Sequence, residues 1–173
     1  MTSPEHCQLL ASYNRWMNQR LYACCAQLDD AARKRDSGAF FKSIHGTLNH
    51  NLLGDKVWLG RFVDQPFSVT SLAQELYADF DELRAEREAT DTRIDAWSAA
   101  LTPAWLAADF TYRRSNGASS TSTGWMLATH FFNHQTHHRG QLTTLIKQAG
   151  IDPGDTDLLL VPGVIRTAAR NEA

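Results

Sequence analysis

The chain has 173 residues, of which 43% are hydrophobic and 21% are charged, and its formal net charge is −2. This length and composition suit a single globular domain, residues 1–173, with a substantial core. The slightly acidic balance argues against nucleic acid as the main partner, because phosphate binding needs clustered Lys and Arg.

The N-terminal stretch MTSPEHCQLL lacks the basic-then-apolar order of a signal peptide. No apolar run in the chain approaches the ~20 residues of a membrane span. We therefore expect a cytoplasmic protein with no membrane partner. The three cysteines, Cys7, Cys24 and Cys25, are an odd count with an adjacent pair, which predicts reduced core thiols rather than disulfides.

Helical spacing of apolar residues dominates the chain, and it predicts four long helices. The first begins after the N-cap Ser3 and runs to about Leu28. The second is predicted over about 39–62, and the third over about 72–101. The third contains DELRAEREATDTRID, whose alternating charges are typical of a solvated helix face.

The last part of the chain predicts a hairpin, a fourth helix and a short tail. Asn116-Gly117 is a hairpin-turn pair, which suggests a short two-stranded element before the helix. A cap at Ser122 or Thr123 then opens the fourth helix, predicted over about 124–149. The apolar tail that follows is expected to pack on the body. Four long amphipathic helices in one domain predict an all-α four-helix bundle.

Four of the seven histidines lie in one segment of the fourth helix, HFFNHQTHHRGQ. With about 100° of rotation per residue, the apolar face of this helix centres near Leu142. His138 then lies about 40° and His134 about 80° from that centre, whereas His130 and His137 lie about 120–140° away. We therefore expect His134 and His138 to point inward, one turn apart, where two imidazoles can reach one metal ion.

Two histidines alone hold a metal poorly, so a third ligand is expected from another helix. The candidates on the second helix are His45, near its main apolar stripe, and His50, on a secondary stripe. Gly46 and Gly54 flank His50 one turn away on each side, and they could leave room for an ion or a close helix neighbour. The glycines tilt the choice slightly toward His50, but periodicity leaves it open.

Two stretches, SIHGTLNHNLLGDKVWLGRF and HFFNHQTHHRGQLTTLIKQAGIDPGDTDLL, resemble the DinB/YfiT-like family of small metal-binding proteins. YNRWMNQRLY resembles the first helix of that family, so the likeness covers nearly the whole chain. It implies a four-helix bundle with long connections and a short C-terminal extension. Family members commonly bind a divalent ion through three histidines, which implies His50, His134 and His138 as the ligands here. The resemblance also implies a homodimer.

A three-histidine site leaves at least one coordination position open, whereas structural zinc sites are usually closed by four protein ligands. Zn²⁺ or Ni²⁺ in such a site could lower the pKa of bound water to ~7 or hold a bound thiol as thiolate. The resemblance favours the second use, because better-understood relatives are transferases and isomerases that use low-molecular-weight thiols. Others look like hydrolases.

The predicted function is therefore a metal-dependent thiol S-transferase, or a hydrolase, that acts on small electrophilic molecules. The alternative is a non-catalytic metal-binding or ligand-binding protein of a stress response. No further catalytic residue is identified from the sequence. Six side chains are candidates to orient the ligands or to line the pocket: His45, Asn49, Asp55, His130, His137 and Gln141.

Two neighbours of the histidine segment have structural interpretations. Arg139 is expected to pair with a carboxylate on a neighbouring helix. Gly140 costs about 1 kcal/mol of helix stability relative to alanine, so we expect it to mark a close helix contact.

Overall fold

A computed structural model of the chain describes residues 2–114 and 117–164. Its four long helices confirm the predicted all-α bundle, and they are α1 (Pro4–Cys25), α3 (Ile44–Phe62), α4 (Phe80–Ala99) and α6 (Gly124–Gln148). Two short helices, which the apolar spacing does not predict, are α2 (Asp30–Lys34) and α5 (Pro103–Ala107). A hairpin of β1 (Asp109–Arg113) and β2 (Ser119–Thr123) precedes α6, and a 3-10 turn, Leu158–Leu160, follows it.

Helix α1 packs against α4 and α6, and α3 packs against α6 and α4. The apolar core of this bundle is divided into two clusters, one toward each end. One cluster is centred on these buried side chains: Met17, Leu21, Leu48, Leu52, Leu83, Leu142 and Ile146. The other cluster consists largely of aromatic side chains from α3, α4 and α6. It is centred on Phe62, Ile94, Trp97, Phe131 and Phe132. On every long helix, polar residues lie between the two clusters.

These buried polar residues form what we call the polar layer: Asn14, Asn18, Asp55, Arg87, Asp91, Gln135 and Arg139. Arg87 on α4, only 2% exposed, is the centre of this layer. It donates to the Asp55 carboxylate on α3, and its Nη2 lies 3.0 Å from Asp91 Oδ1. Burial alone would lower the pKa of Arg87, but Asp91 and Asp55 outweigh it and raise that pKa. The charged segment of α4 therefore has the predicted solvated face, with Arg84 and Glu88 exposed, but it also contributes two buried charges, Arg87 and Asp91, that the charge pattern did not predict.

The rest of the polar layer joins α1 and α6 to this ion pair. The amide of Gln135 donates to Asp55 Oδ1 at 2.8 Å. The amide of Asn14 donates to Asp91 Oδ1 at 3.0 Å, and its carbonyl oxygen accepts from Arg139. Arg139 therefore has an amide partner on α1, where the sequence predicts a carboxylate. Each of the four long helices contributes hydrogen-bonding groups to one connected network.

Helix α3 begins later than its predicted start near Ala39. Lys42 has φ of 66°, a left-handed conformation that a helix cannot include. Ser43 is then the N-cap, and its Oγ accepts from the backbone N–H of Gly46 at 3.0 Å. The first helical residue is Ile44.

Helix α4 also begins later than predicted, at Phe80 rather than near Leu72. The side chain of Asn49 on α3 holds the preceding connection outside any helix. Its Oδ1 accepts from the backbone N–H groups of Leu76 at 2.8 Å and of Tyr77 at 3.0 Å. These donors are then satisfied without a helical turn, which local apolar spacing cannot reveal.

The predicted hairpin is present, with Asp109 opposite Thr123 at its open end. Of the predicted turn pair, Asn116 lies outside the described residues, and Gly117 has φ of +83°. Thr123 is the N-cap of α6 by backbone conformation, but its side chain makes no capping hydrogen bond. The hairpin connects α5 to the start of α6.

The tail is fixed to α1 by polar contacts more than by apolar packing. Tyr13 Oη donates to the carbonyl of Thr156 at 2.7 Å, and Arg20 donates to that of Pro153 at 3.1 Å. Val161 is buried, but Leu159 is 61% exposed, so the predicted packing of the apolar tail holds only in part. None of the described helices has the length and hydropathy that would let it cross a membrane.

The described cysteines are free thiols and all three are buried, as predicted. Burial raises the pKa of Cys25 to about 12 and that of Cys7 to about 11. Both thiols therefore stay protonated at neutral pH, which is the behaviour of core residues rather than of nucleophiles.

Candidate metal centre

The structure brings together His50 on α3 with His134 and His138 on α6. One ring nitrogen from each lies within 4.8 Å of the others, and the Nε2 atoms of His134 and His138 are 3.1 Å apart. His50 and His138 are buried and His134 is half-buried, whereas His130 and His137 are exposed. This order of exposure agrees with the helix-wheel prediction. That the three rings hold a metal ion stays a prediction.

A glycine on α3 makes the close approach of His134 possible. A Cβ atom at Gly54 would lie 2.7 Å from Cε1 of His134, closer than real side chains approach. Gly54 therefore leaves room for a ligand ring from α6, one turn after His50. Gly46 has another role, since a Cβ there would clash with the backbone carbonyl of Phe41 in the turn before α3.

Hydrogen bonds fix the orientation of two of the three rings. His50 Nδ1 donates to the backbone carbonyl of Leu72 at 2.7 Å. His138 Nδ1 donates to Oε1 of Gln141 at 2.8 Å, one turn further along α6. A proton on each Nδ1 leaves the lone pair on Nε2, the tautomer that a metal ligand needs. Gln141 thus orients the ring of His138, and its role beside a metal ligand stays a prediction.

Phe41 covers one side of the cluster, and sequence reasoning did not identify it. Its ring stacks on His50 with centroids 3.7 Å apart and an interplanar angle of 16°. It also meets His138 edge-on at 5.6 Å. The apolar spacing predicts Phe41 as part of the buried side of the second helix, but Phe41 precedes α3, so the helical period does not give its position beside the histidines. Its effect is to exclude water from one face of two rings.

Burial keeps the cluster uncharged at neutral pH. It lowers the pKa of His134 to about 3, with the neighbouring His138 and His50 adding to the shift. It also lowers the pKa of His138 to about 4, although the Gln141 hydrogen bond opposes it. The pKa of His50 is lowered by burial in the same way. Metal ligation requires neutral imidazoles, so the rings need release no proton to bind an ion at pH 7.

The other candidates named from the sequence lie in different places. His45 Nε2 is 2.9 Å from the carbonyl of Tyr77. Asn49 binds the same connection, and Asp55 belongs to the polar layer rather than to the histidines. The ring of His137 lies 4.9 Å from that of His138. His45 and Asn49 thus hold the α3–α4 connection that orients His50.

Two clefts are lined in part by the histidine cluster. The larger, about 590 Å³, has Phe40, Phe41 and Leu72 in its wall. The smaller, about 340 Å³, runs between α3 and the hairpin. His50, Leu72 and His134 line both clefts, so the two clefts meet at the histidine cluster.

Comparison with known proteins shows the family of this chain. The sequence model of the DinB family matches residues 1–165. The chain is also similar to Protein DinB of Bacillus subtilis (strain 168), with 25% identity over 154 residues, covering 86% of this chain and 88% of that protein. The family match confirms the resemblance carried by the two histidine motifs. The chain therefore belongs to the DinB family.

Proposed function

We propose that this chain binds a divalent metal ion through His50, His134 and His138. We further propose that it acts as a metal-dependent thiol S-transferase, or a hydrolase, on small electrophilic molecules. The observation that carries the proposal is the convergence of three neutral imidazole rings at the junction of two clefts. Zn²⁺ and Ni²⁺ are the ions that we propose, and imidazole ligands suit both.

The geometry fits such an ion. A tetrahedral zinc with nitrogen ligands at about 2.0–2.1 Å places those nitrogens about 3.4 Å apart. The Nε2 atoms of His134 and His138 are 3.1 Å apart, and all three donors lie within 4.8 Å. Small ring movements are therefore enough to close the site. Three protein ligands leave a position for a reactant, unlike a closed structural site.

When bound, the ion supplies a Lewis acid that lowers the pKa of a coordinated water or thiol. The chain's own residues contribute orientation and access. Leu72 and Gln141 hold two of the rings in the ligating tautomer. Phe41 shields one face of the His50 ring from water, and the two clefts that meet at the cluster give room for a thiol and an electrophile. Room for two reactants favours a two-substrate reaction.

Gly54→Ala is expected to weaken metal binding while leaving the fold intact. The new Cβ would lie 2.7 Å from His134 Cε1, so the ring must rotate or move away from its partners. We expect a loss of affinity of about 10–100-fold, comparable to losing a group that orients a ligand. Competition with a chromophoric chelator measures the metal affinity of both forms.

Gly140→Ala on α6 is the matched control for Gly54→Ala. Apart from its chain neighbours and the nearby backbone of α6, no described atom lies within 4 Å of a Cβ at Gly140, so the expected close contact with another helix is absent. This variant should keep the metal affinity and gain up to about 1 kcal/mol of stability. Equal affinities for the two alanine variants would contradict the role given to Gly54.

A cobalt-substituted sample tests the thiol-transfer part of the proposal. Adding a small thiol is expected to produce a thiolate-to-cobalt charge-transfer band, and the matching alcohol should give none. The band should vanish in His134→Ala. If cobalt binds but no thiol perturbs its spectrum, the transferase proposal is wrong. Ester or amide hydrolysis by the zinc form would then support the hydrolase, and the absence of any turnover would support the non-catalytic alternative.

A further inference from the structure

The smaller cleft has a distinct chemical character. Its wall carries two aromatic rings, Trp58 on α3 and Tyr112 on β1, and two arginines, Arg61 and Arg114. His130 extends this wall toward the cluster, with its ring 5.0 Å from Trp58 and 6.2 Å from His134. No acidic side chain is present among the described residues that line this cleft. The cleft is therefore aromatic and basic.

Arg61 is held in a fixed position in this cleft. One of its nitrogens donates to the backbone carbonyl of Arg113 at 2.9 Å. Its guanidinium carbon lies 4.5 Å from the ring centroid of Trp58 and 5.2 Å from that of Tyr112. Two aromatic faces and one carbonyl thus orient the planar group, which prepares its remaining donors for a ligand.

Arg61 forms no salt bridge with a carboxylate within residues 2–114 and 117–164, whereas the buried Arg87 forms two. Burial lowers the pKa of Arg61, so holding a proton there carries a desolvation cost. A half-buried guanidinium that lacks a carboxylate and lines a cleft is well placed to receive one from a ligand.

We propose that this cleft selects substrates that carry a carboxylate on a flat apolar body. Arg61 binds the carboxylate, Trp58 and Tyr112 contact the body, and Arg114 adds positive charge at the rim. The reacting end of the molecule then lies at His134. This last point rests on the proposed function, but recognition of the anion does not. Arg61 is a specificity-determining residue in this scheme, because the parallel N–H donors of its planar guanidinium group match the two oxygens of a carboxylate.

A pair of probes that differ only in charge tests this inference: 2-naphthoate and 2-naphthamide. The readout is the indole N–H signal of Trp58 in a two-dimensional NMR titration, assigned from its absence in Trp58→Phe. We expect 2-naphthoate to bind more tightly than 2-naphthamide. Arg61→Gln should raise the Kd for naphthoate by about 10–100-fold and leave that for naphthamide unchanged. Arg61→Lys should retain part of the preference.

Arg84→Gln is the charge-matched control, since Arg84 is an exposed residue of α4 that pairs only locally with Glu88. Its Kd values should equal those of the unmodified chain. Unchanged naphthamide binding by Arg61→Gln shows that the cleft is intact. Each titration is done in chelator-treated protein and again with added Zn²⁺.

Three results would overturn the inference: no shift with naphthoate, an equal Kd for naphthoate in Arg61→Gln, or naphthoate binding that requires Zn²⁺ and ignores Arg61. The last would mean that the carboxylate goes to the ion. Failure to bind Zn²⁺ would count against the proposed function alone, because the chelator-treated titration still decides the role of Arg61.

Discussion

Replacing His134 with alanine is expected to abolish stoichiometric metal binding. His134 lies closest to a second ligand, 3.1 Å from His138, and lines both clefts. His50→Ala and His138→Ala should have the same effect, because two imidazoles hold a divalent ion poorly. Metal affinity should fall by more than about 100-fold, which is a larger loss than that caused by removing a residue that only hydrogen-bonds to a ligand. Elemental analysis of protein without a histidine tag measures the bound ion.

Two other histidines serve as controls for this experiment. His137→Ala removes an exposed ring from the same helix, and His45→Ala removes the alternative ligand of α3. Both variants should keep one ion per chain. If His45→Ala loses the ion and His50→Ala keeps it, the assignment of the third ligand is wrong. Retention of the ion by all three ligand variants would contradict the site itself.

Arg87→Ala is expected to lower the free energy of unfolding by about 3–5 kcal/mol. The change leaves Asp55 and Asp91 in the core without the charge that both carboxylates contact. Leaving a buried charge without a partner lowers the free energy of unfolding far more than removing an exposed charge does. The cavity left by the Arg87 side chain lowers it further. Urea denaturation of the chelator-treated protein measures the effect without a contribution from bound metal.

The control for Arg87→Ala is Arg84→Ala, on the solvated side of α4. Arg84 forms an exposed pair with Glu88, so its loss should cost less than about 1 kcal/mol. A similar small cost for Arg87→Ala would show that the polar layer relaxes or admits water. The expected contrast therefore distinguishes a rigid network from an adaptable one.

The four helices and the inward histidine pair could be predicted because both follow from a period of 3.6 residues. Apolar side chains mark the buried face of α6, and His134 and His138 lie on or beside that face. The choice between His45 and His50 could not be made from period, since α3 is buried on most of its surface and both rings are buried. The family resemblance favoured His50, and the structure places it beside the α6 pair.

The polar layer was missed because charge was taken as a sign of exposure. Arg87 lies four residues after Leu83 and seven before Ile94, which are both fully buried. The helical period would therefore have indicated that Arg87 is buried, had it been applied to polar residues as well as apolar ones. One partner of Arg87, Asp91, lies one turn further along α4, but the other, Asp55, comes from α3 and cannot be read from α4 alone.

The late start of α4 and the position of Phe41 have a different cause. Both depend on contacts between segments that are distant along the chain or outside any helix. Asn49 captures backbone donors of Leu76 and Tyr77, and Phe41 stacks on His50 across the turn before α3. No local propensity encodes such contacts.

Asn49 and His50 are consecutive on α3, and both bind the connection that leads to α4. Asn49 holds this loop in place, and the loop in turn fixes the orientation of the His50 ring. Substitutions at Leu72, Leu76 or Tyr77 are therefore expected to change the metal affinity of the proposed centre while its three ligands stay unchanged. Because loops tolerate substitution better than helices do, such a change need not disturb the bundle.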